Sequence, residues 1–97
     1  MDERRRYLYA KAIEEWGDTF QLFMLMEEMG ELSTGVSQFV RGRVESSAVL
    51  DEIVDVEIML DQLKVIMGHT DADVHRQKEA KLQRLAQRLD VEYYGRP

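Results

Sequence analysis

LFMLMEEMGEL, residues 22–32, is the stretch on which the reading of this chain turns. Its apolar residues Leu22, Leu25, Met26, Met29 and Leu32 recur at three- and four-residue intervals, and Val36, Phe39 and Val40 continue the set. That is the period of an amphipathic helix. Inside the stripe lie Glu27, Glu28 and Glu31. Twenty residues further on, DEIVDVEIMLDQL (51–63) repeats the arrangement, with Val49, Ile53, Val56, Leu60, Leu63 and Met67 as the stripe and Glu52 and Asp55 beside it. Residues three apart on a helix are neighbours on one face, and like charges so placed repel by a few tenths of a kcal/mol. Two such pairs call for a cation between them or for a good deal of water.

The rest of the chain is punctuated by glycine. Gly17, Gly42, Gly68 and Gly95 mark off four stretches, and the one proline, Pro97, is the final residue. Nothing alternates at a period of two for long enough to suggest a strand, so the expectation is all-α. A first helix is read over 3–16, with Leu8, Ala12 and Trp16 on one side. A second is capped by Asp18 or Thr19 and runs to about residues 39–41. Arg41-Gly42-Arg43 reads as a turn, with Ser46 or Ser47 capping a third helix that stops at Gly68. Thr70 or Asp71 caps a fourth over about 71–89, whose weaker stripe is Val74, Leu82, Leu85 and Leu89. The 97 residues make one domain, with its core over about 18–89 and a loose tail over 90–97.

At about 100° per residue, Glu28 and Glu31 border the apolar stripe of the second helix, and Glu27 points further toward water. Glu52 and Asp55 border the stripe of the third. Packing the stripes together is therefore expected to bring four carboxylates to one partly buried rim. The third helix also carries Val54, Ile58 and Val65 on its other side. A helix apolar on two sides is buried on two sides, and four short helices have little surface to spare, so self-association as a dimer or larger is expected.

Composition narrows the chemistry. There are no cysteines, which excludes disulfides and thiolate metal sites. No apolar run has the length of a membrane span, and the N-terminal Met-Asp-Glu-Arg-Arg-Arg lacks the apolar core of a signal peptide, so a cytoplasmic location is the default. Net charge is −6, and residues 18–68 hold ten acids against three bases, Arg41, Arg43 and Lys64. Such a field repels duplex nucleic acid and attracts divalent cations. Singly, acidic residues on a helix are usually a solvated edge. Here the spacing is duplicated, both pairs flank apolar stripes, and few bases are at hand to neutralise them. An all-carboxylate set suits a hard ion, Mg²⁺ or Mn²⁺, that completes its shell with water and phosphate oxygens. Di-iron bundles use Glu-x-x-His, and His69 and His75 fall outside the pattern.

EEMGEL followed by DEIVDVEIMLDQL resembles the EExxE…ExxD signature of the all-α NTP pyrophosphohydrolases, the MazG-like superfamily. VEIMLDQLK and a basic last helix of the KLQRL type are similar to its small members, and the likeness spans roughly residues 20–89. The resemblance implies a four-helix, MazG-like bundle completed by homo-oligomerisation, as a dimer or a dimer of dimers. It implies Mg²⁺ held by Glu28, Glu31, Glu52 and Asp55, and a water that splits a nucleoside triphosphate, in particular a deoxynucleotide or a modified one, into monophosphate and pyrophosphate. Glu27 would support the ligands or orient and deprotonate that water, with Glu28 beside it at the catalytic centre. For substrate, Gln21 and Gly35 share a side with Glu28 and Glu31: Gly35 leaves room, and Gln21 could bond a base or ribose. Trp16 and Phe20 could stack on a base, although core packing is the commoner use of such residues. Lys81, Arg84 and Arg88 line one side of the fourth helix, where they could meet pyrophosphate or be a solvated stripe. The chain has no asparagine for base recognition. Two alternatives stand beside this reading: a phosphoribosyl-ATP pyrophosphohydrolase, and a non-catalytic helical module whose acidic rim meets a basic partner.

Overall fold

In the computed structural model, which describes residues 1–93, the chain forms four helices: α1 (Glu3–Trp16), α2 (Asp18–Val40), α3 (Ser46–Met67) and α4 (Asp71–Leu89). No strand occurs among the described residues, and no helix is long and apolar enough to cross a membrane. The boundaries fall where the sequence puts them, and two caps differ by a residue. Gly17 alone separates α1 from α2 and serves as the N-cap, without any side-chain cap bond. Its φ of 86° is a conformation that glycine adopts without strain, so the chain reverses in one residue. Asp18 is therefore already helical, and Thr19 lies deeper still. Glu45 precedes α3, also without a side-chain cap bond, so Ser46 and Ser47 fall inside the first turn. Thr70 caps α4 as expected, in a reciprocal box with Asp73.

α2 and α3 are the frame. Joined by the short turn at 41–45, they run antiparallel, and three pairs fix their register. Gln21 meets Gln62, the charges of Glu28 and Asp55 act on one another, and Gly35 lies against the Glu52 side chain, whose Cγ is 3.6 Å from where a Cβ would stand. Leu25, Val56 and Met59 are buried. The seam thus follows Gln21, Leu25, Glu28 and Gly35, not the centre of the apolar stripe. Of the carboxylates expected at a rim, Glu28, Glu52 and Asp55 are half-buried beside this seam and Glu31 is exposed. Much of the expected core, in turn, remains uncovered: Met26, Met29 and Val36 of α2, with Ile53, Leu60 and Met67 of α3, are all exposed.

α1 crosses one end of the hairpin and packs on both α2 and α3. It does so through Tyr9, whose hydroxyl donates to Asp61 Oδ2 at 3.0 Å. The stripe expected there, Leu8 and Trp16, points to solvent instead. α4 packs on no other helix among the described residues, so one copy of the chain does not close a four-helix bundle. Its start is held by the terminal ammonium, 2.6 Å from Asp71 Oδ2. Residues 90–93, expected to be loose, turn back along α4: Asp90 takes a left-handed conformation, and the Tyr93 hydroxyl donates to Glu79 Oε2 at 2.6 Å. The remainder of the expected tail, 94–97, lies outside the described residues. With α4 standing apart, the Cα radius of gyration is 16.4 Å, against about 12.5 Å for a compact domain of this length.

Candidate metal centre

Midway along the seam the four expected carboxylates come together, joined by a fifth. Glu28, Glu31 and Glu52 each offer an oxygen within 4.8 Å of the others, and so do Asp51, Glu52 and Asp55. Glu52 belongs to both sets. Helical spacing accounts for this. Asp51 and Asp55 are one turn apart on α3, Glu28 and Glu31 are nearly so on α2, and the antiparallel register sets the two rows side by side. Asp51 escaped the sequence reading. The signal for it is the i, i+4 relation to Asp55, which was overshadowed by the ExxD match.

One oxygen each of Glu28 and Glu52, the Oε2 atoms, is sealed from water and has no hydrogen-bond partner. No ion pair among the described residues involves Glu28, Glu31, Asp51, Glu52 or Asp55, and Lys64, the one base on α3, is taken up by Asp61 at 3.3 Å. Burial, and then the charges of Glu31, Asp55, Glu52 and Glu27, push the Glu28 carboxyl above its ordinary range. Burial and the charges of Glu31, Asp55 and Asp51 do the same to Glu52. These are the two ways a carboxylate resists ionising, desolvation and like charge, acting at the same two residues.

Carboxylate oxygens this close together could hold a small hard cation. Around an octahedral Mg²⁺ with bonds of about 2.0–2.1 Å, ligand oxygens stand about 3 Å apart when adjacent and about 4 Å apart when opposite. The oxygens of Glu28, Glu31 and Glu52, and those of Asp51, Glu52 and Asp55, are each gathered to near that spacing. An ion at the first set would take Glu28, Glu31 and Glu52, and Asp55 stands with Asp51 in the second set, joined to the first through Glu52.

Beside the cluster, toward the α2–α3 turn, an open groove of about 570 Å³ is lined by Glu27, Glu31 and Glu52 together with Thr34, Gly35, Gln38, Val44 and Ala48. Pockets that take small molecules are of this size. Gly35 and Ala48 leave the space, since any longer side chain at either would fill it. Thr34 and Gln38 are polar groups that the sequence reading passed over; their signal was position, on the Glu27–Glu31 side one and two turns further on.

Of the expected substrate contacts, only Gly35 lines this groove. Gln21 is buried, and its amide is spent on Gln62. Trp16 lines a separate depression with Leu8 and Glu15, and Phe20 is exposed rather than core. Lys81 lines a hollow on α4, and Arg84 and Arg88 share that unpacked helix, so none of the three meets the cluster within one copy. Comparison with protein-family models, with characterised proteins and with solved structures gives no match to this chain.

Proposed function

We propose that this protein is a divalent-cation-dependent hydrolase of nucleoside triphosphates that releases pyrophosphate, built as a homo-oligomer. The observation that carries the reading is the pair of covered, unpartnered oxygens on Glu28 and Glu52, within a carboxylate cluster that no base neutralises among the described residues. Each of these half-buried carboxylates has one oxygen covered without a partner and like charges beside it, which is costly to the charged form and which a cation would relieve. The adjoining groove supports a substrate at the same place, and the likeness of EEMGEL and DEIVDVEIMLDQL to the NTP pyrophosphohydrolase signature supports a triphosphate as that substrate.

Bound at the cluster, Mg²⁺ or Mn²⁺ supplies Lewis-acid charge to the phosphoryl group and to the attacking water. The chain's own residues do the rest. Glu28, Glu31, Glu52 and Asp55 fix the position of that charge. Glu27, exposed on the groove wall, is free to orient a water and take its proton. Thr34 and Gln38 offer hydrogen bonds to the nucleoside, and Gly35 leaves room for it.

The test is pyrophosphate release across a panel of NTPs and dNTPs with Mg²⁺ or Mn²⁺. Release should vanish with EDTA and in Glu28→Gln and Asp55→Asn, while helicity is retained. No release from any nucleotide with either ion refutes the reading. A phosphoribosyl-ATP arm in the same panel separates that substrate from the simple nucleotides.

A further inference from the structure

We infer that Gln38 is the residue by which the groove beside the carboxylate cluster selects the base of its nucleotide. The inference rests on the activity proposed above and assigns the parts of the substrate to parts of the groove. That groove is charged at one end and neutral at the other. Glu27, Glu31 and Glu52 line it where it meets the cluster. From there toward the α2–α3 turn the lining is Thr34, Gly35, Gln38, Val44 and Ala48, none of them charged. A nucleotide has the same polarity, with its phosphates and their cations at one end and an uncharged base at the other. It therefore lies with phosphate at the cluster and base toward the turn.

α2 is the ruler for this placement. Glu27, Glu31, Thr34 and Gln38 recur at helical intervals along one face. Along the axis Thr34 stands about 4–5 Å from Glu31, and Gln38 about 10 Å. With the α-phosphate over Glu31, those are the places of the sugar and of the far edge of the base. The turn fixes Gln38 where it is needed. Its backbone carbonyl accepts from the Arg43 N–H at 2.9 Å, Gly42 makes the reversal at a φ of 73°, and the side chain is half-buried. The amides of Gln21 and Gln62 are spent on each other, whereas that of Gln38 faces the groove as its one amide. No aromatic ring is among the described lining residues, so a base there is read by its edge and not by stacking.

The chemistry of an amide makes the assignment testable. An amide has a donor and an acceptor, and by turning over it meets the adjacent donor and acceptor on the Watson–Crick edge of any base. A carboxylate has acceptors only. Guanine alone offers two adjacent donors, N1–H and the N2 amino group, whereas adenine, cytosine and uracil each set an acceptor against the second oxygen. Gln38→Glu should therefore raise kcat/KM for GTP relative to ATP, CTP and UTP by about tenfold or more. The charge it adds near the cluster acts on every nucleotide alike and cancels in the ratio. Gln38→Leu, which adds no charge, should narrow the preference of the wild type. Isothermal titration of GMP, AMP, CMP and UMP into the Mn²⁺-loaded protein should give the same rankings without turnover. Base ratios that neither variant shifts, or that Gln38→Glu shifts away from guanine, overturn the inference and leave the activity standing. Monophosphate binding whose ranking follows the residue at position 38, without pyrophosphate release from any NTP, supports the base site and refutes the proposed activity. A protein that neither cleaves triphosphates nor binds monophosphates refutes both.

Discussion

Replacing the buried amide pair tests what sets the register of the hairpin. Gln21 Nε2 donates to Gln62 Oε1 at 2.6 Å, Gln62 Nε2 reaches only Met59 Sδ at 3.7 Å, and the two residues are 4% and 5% exposed. In Gln21→Leu the Gln62 carbonyl loses its donor in a dry seam, which costs about 1–3 kcal/mol. Gln62→Leu strands Gln21 in the same way. The double replacement removes both polar groups and puts similar apolar volume in their place, a change that is close to neutral. The coupling between the sites is therefore on the order of 1–3 kcal/mol. For a chain of this length each kcal/mol moves the melting temperature by about 4–8 °C, so either single variant should melt at least about 4 °C lower and the double close to wild type. Circular dichroism melts in EDTA, at one fixed protein concentration, measure this. Seven residues along, about 10 Å, lie Glu28 and Asp55. With the amides gone the helices lose their one polar registration, so Mn²⁺ binding should weaken about tenfold in the stable double variant, a loss that stability alone would not produce. Additive losses in the double variant refute the coupling, and an unchanged Mn²⁺ affinity refutes the registration.

The cluster should also shape stability against pH. Glu28 and Glu52 have folded-state values raised above 4.5, so between that value and their raised values the folded chain holds more protons than the unfolded one. Without metal, these two groups should make resistance to urea rise as pH falls through their raised values toward 4.5, and that gain should be lost as pH rises again; saturating Mn²⁺ should flatten or reverse the slope. A metal-free slope of the opposite sign contradicts the assignment. Gly30→Ala meets nothing within 4 Å, and Gly35→Ala makes only an ordinary contact with Glu52 Cγ at 3.6 Å. Each should therefore stabilise its helix by about 0.5–1 kcal/mol in urea melts, whereas Gly35→Leu, whose further atoms crowd Glu52 as well as the groove, should abolish pyrophosphate release. Thr70→Ala removes the capping box and should cost about 1 kcal/mol. Because α4 packs on no other helix, the loss should appear as faster amide exchange in its first turns before any change in α2 or α3.

Helix limits were legible because the chain states them chemically. Gly17 and Gly68 occupy positive φ, and Thr70 and Asp73 form the one complete cap. The seam was not legible in the same way. Periodicity tells which residues of α2 are apolar, but not which neighbour takes them, and Leu22, Met26 and Met29 form as good a stripe as Leu25 and Leu32. What turns the seam toward the carboxylates is a pair of glutamines, each unremarked alone, that stand seven residues from Glu28 and from Asp55. Gln21 therefore read as a free amide when its partner lay 41 residues away. The acids themselves were legible from i, i+3 spacing. Asp51 was not, and neither was the floor of the groove, since Gly35 and Ala48 act by leaving space. Lys81 and Arg84 lie on α4, which packs on no other helix within one copy, so helical spacing alone could not say what they meet.

The seam position also separates a cation site from an ordinary acidic edge. An edge keeps its carboxylates in water, where they are fully ionised a unit or so above their ordinary value, and its attraction for a divalent ion stops changing with pH there. Glu28 and Glu52 each have an oxygen shut away from water and neighbours of like charge, so the metal-free site relieves itself by holding protons to higher pH. A cation must displace those protons. Its apparent affinity should therefore keep climbing with pH past the ordinary carboxylate range and level off only above the raised values, with proton release on binding that fades over the same interval. Isothermal titration with Mn²⁺ in buffers of different ionisation enthalpy reads both. Glu31→Gln, which removes a charge that acts on both residues, should bring the plateau to lower pH while weakening binding. Affinity that is already flat at weakly acidic pH, with no protons released, would mean that the seam opens to water in solution and that the cluster is only an edge.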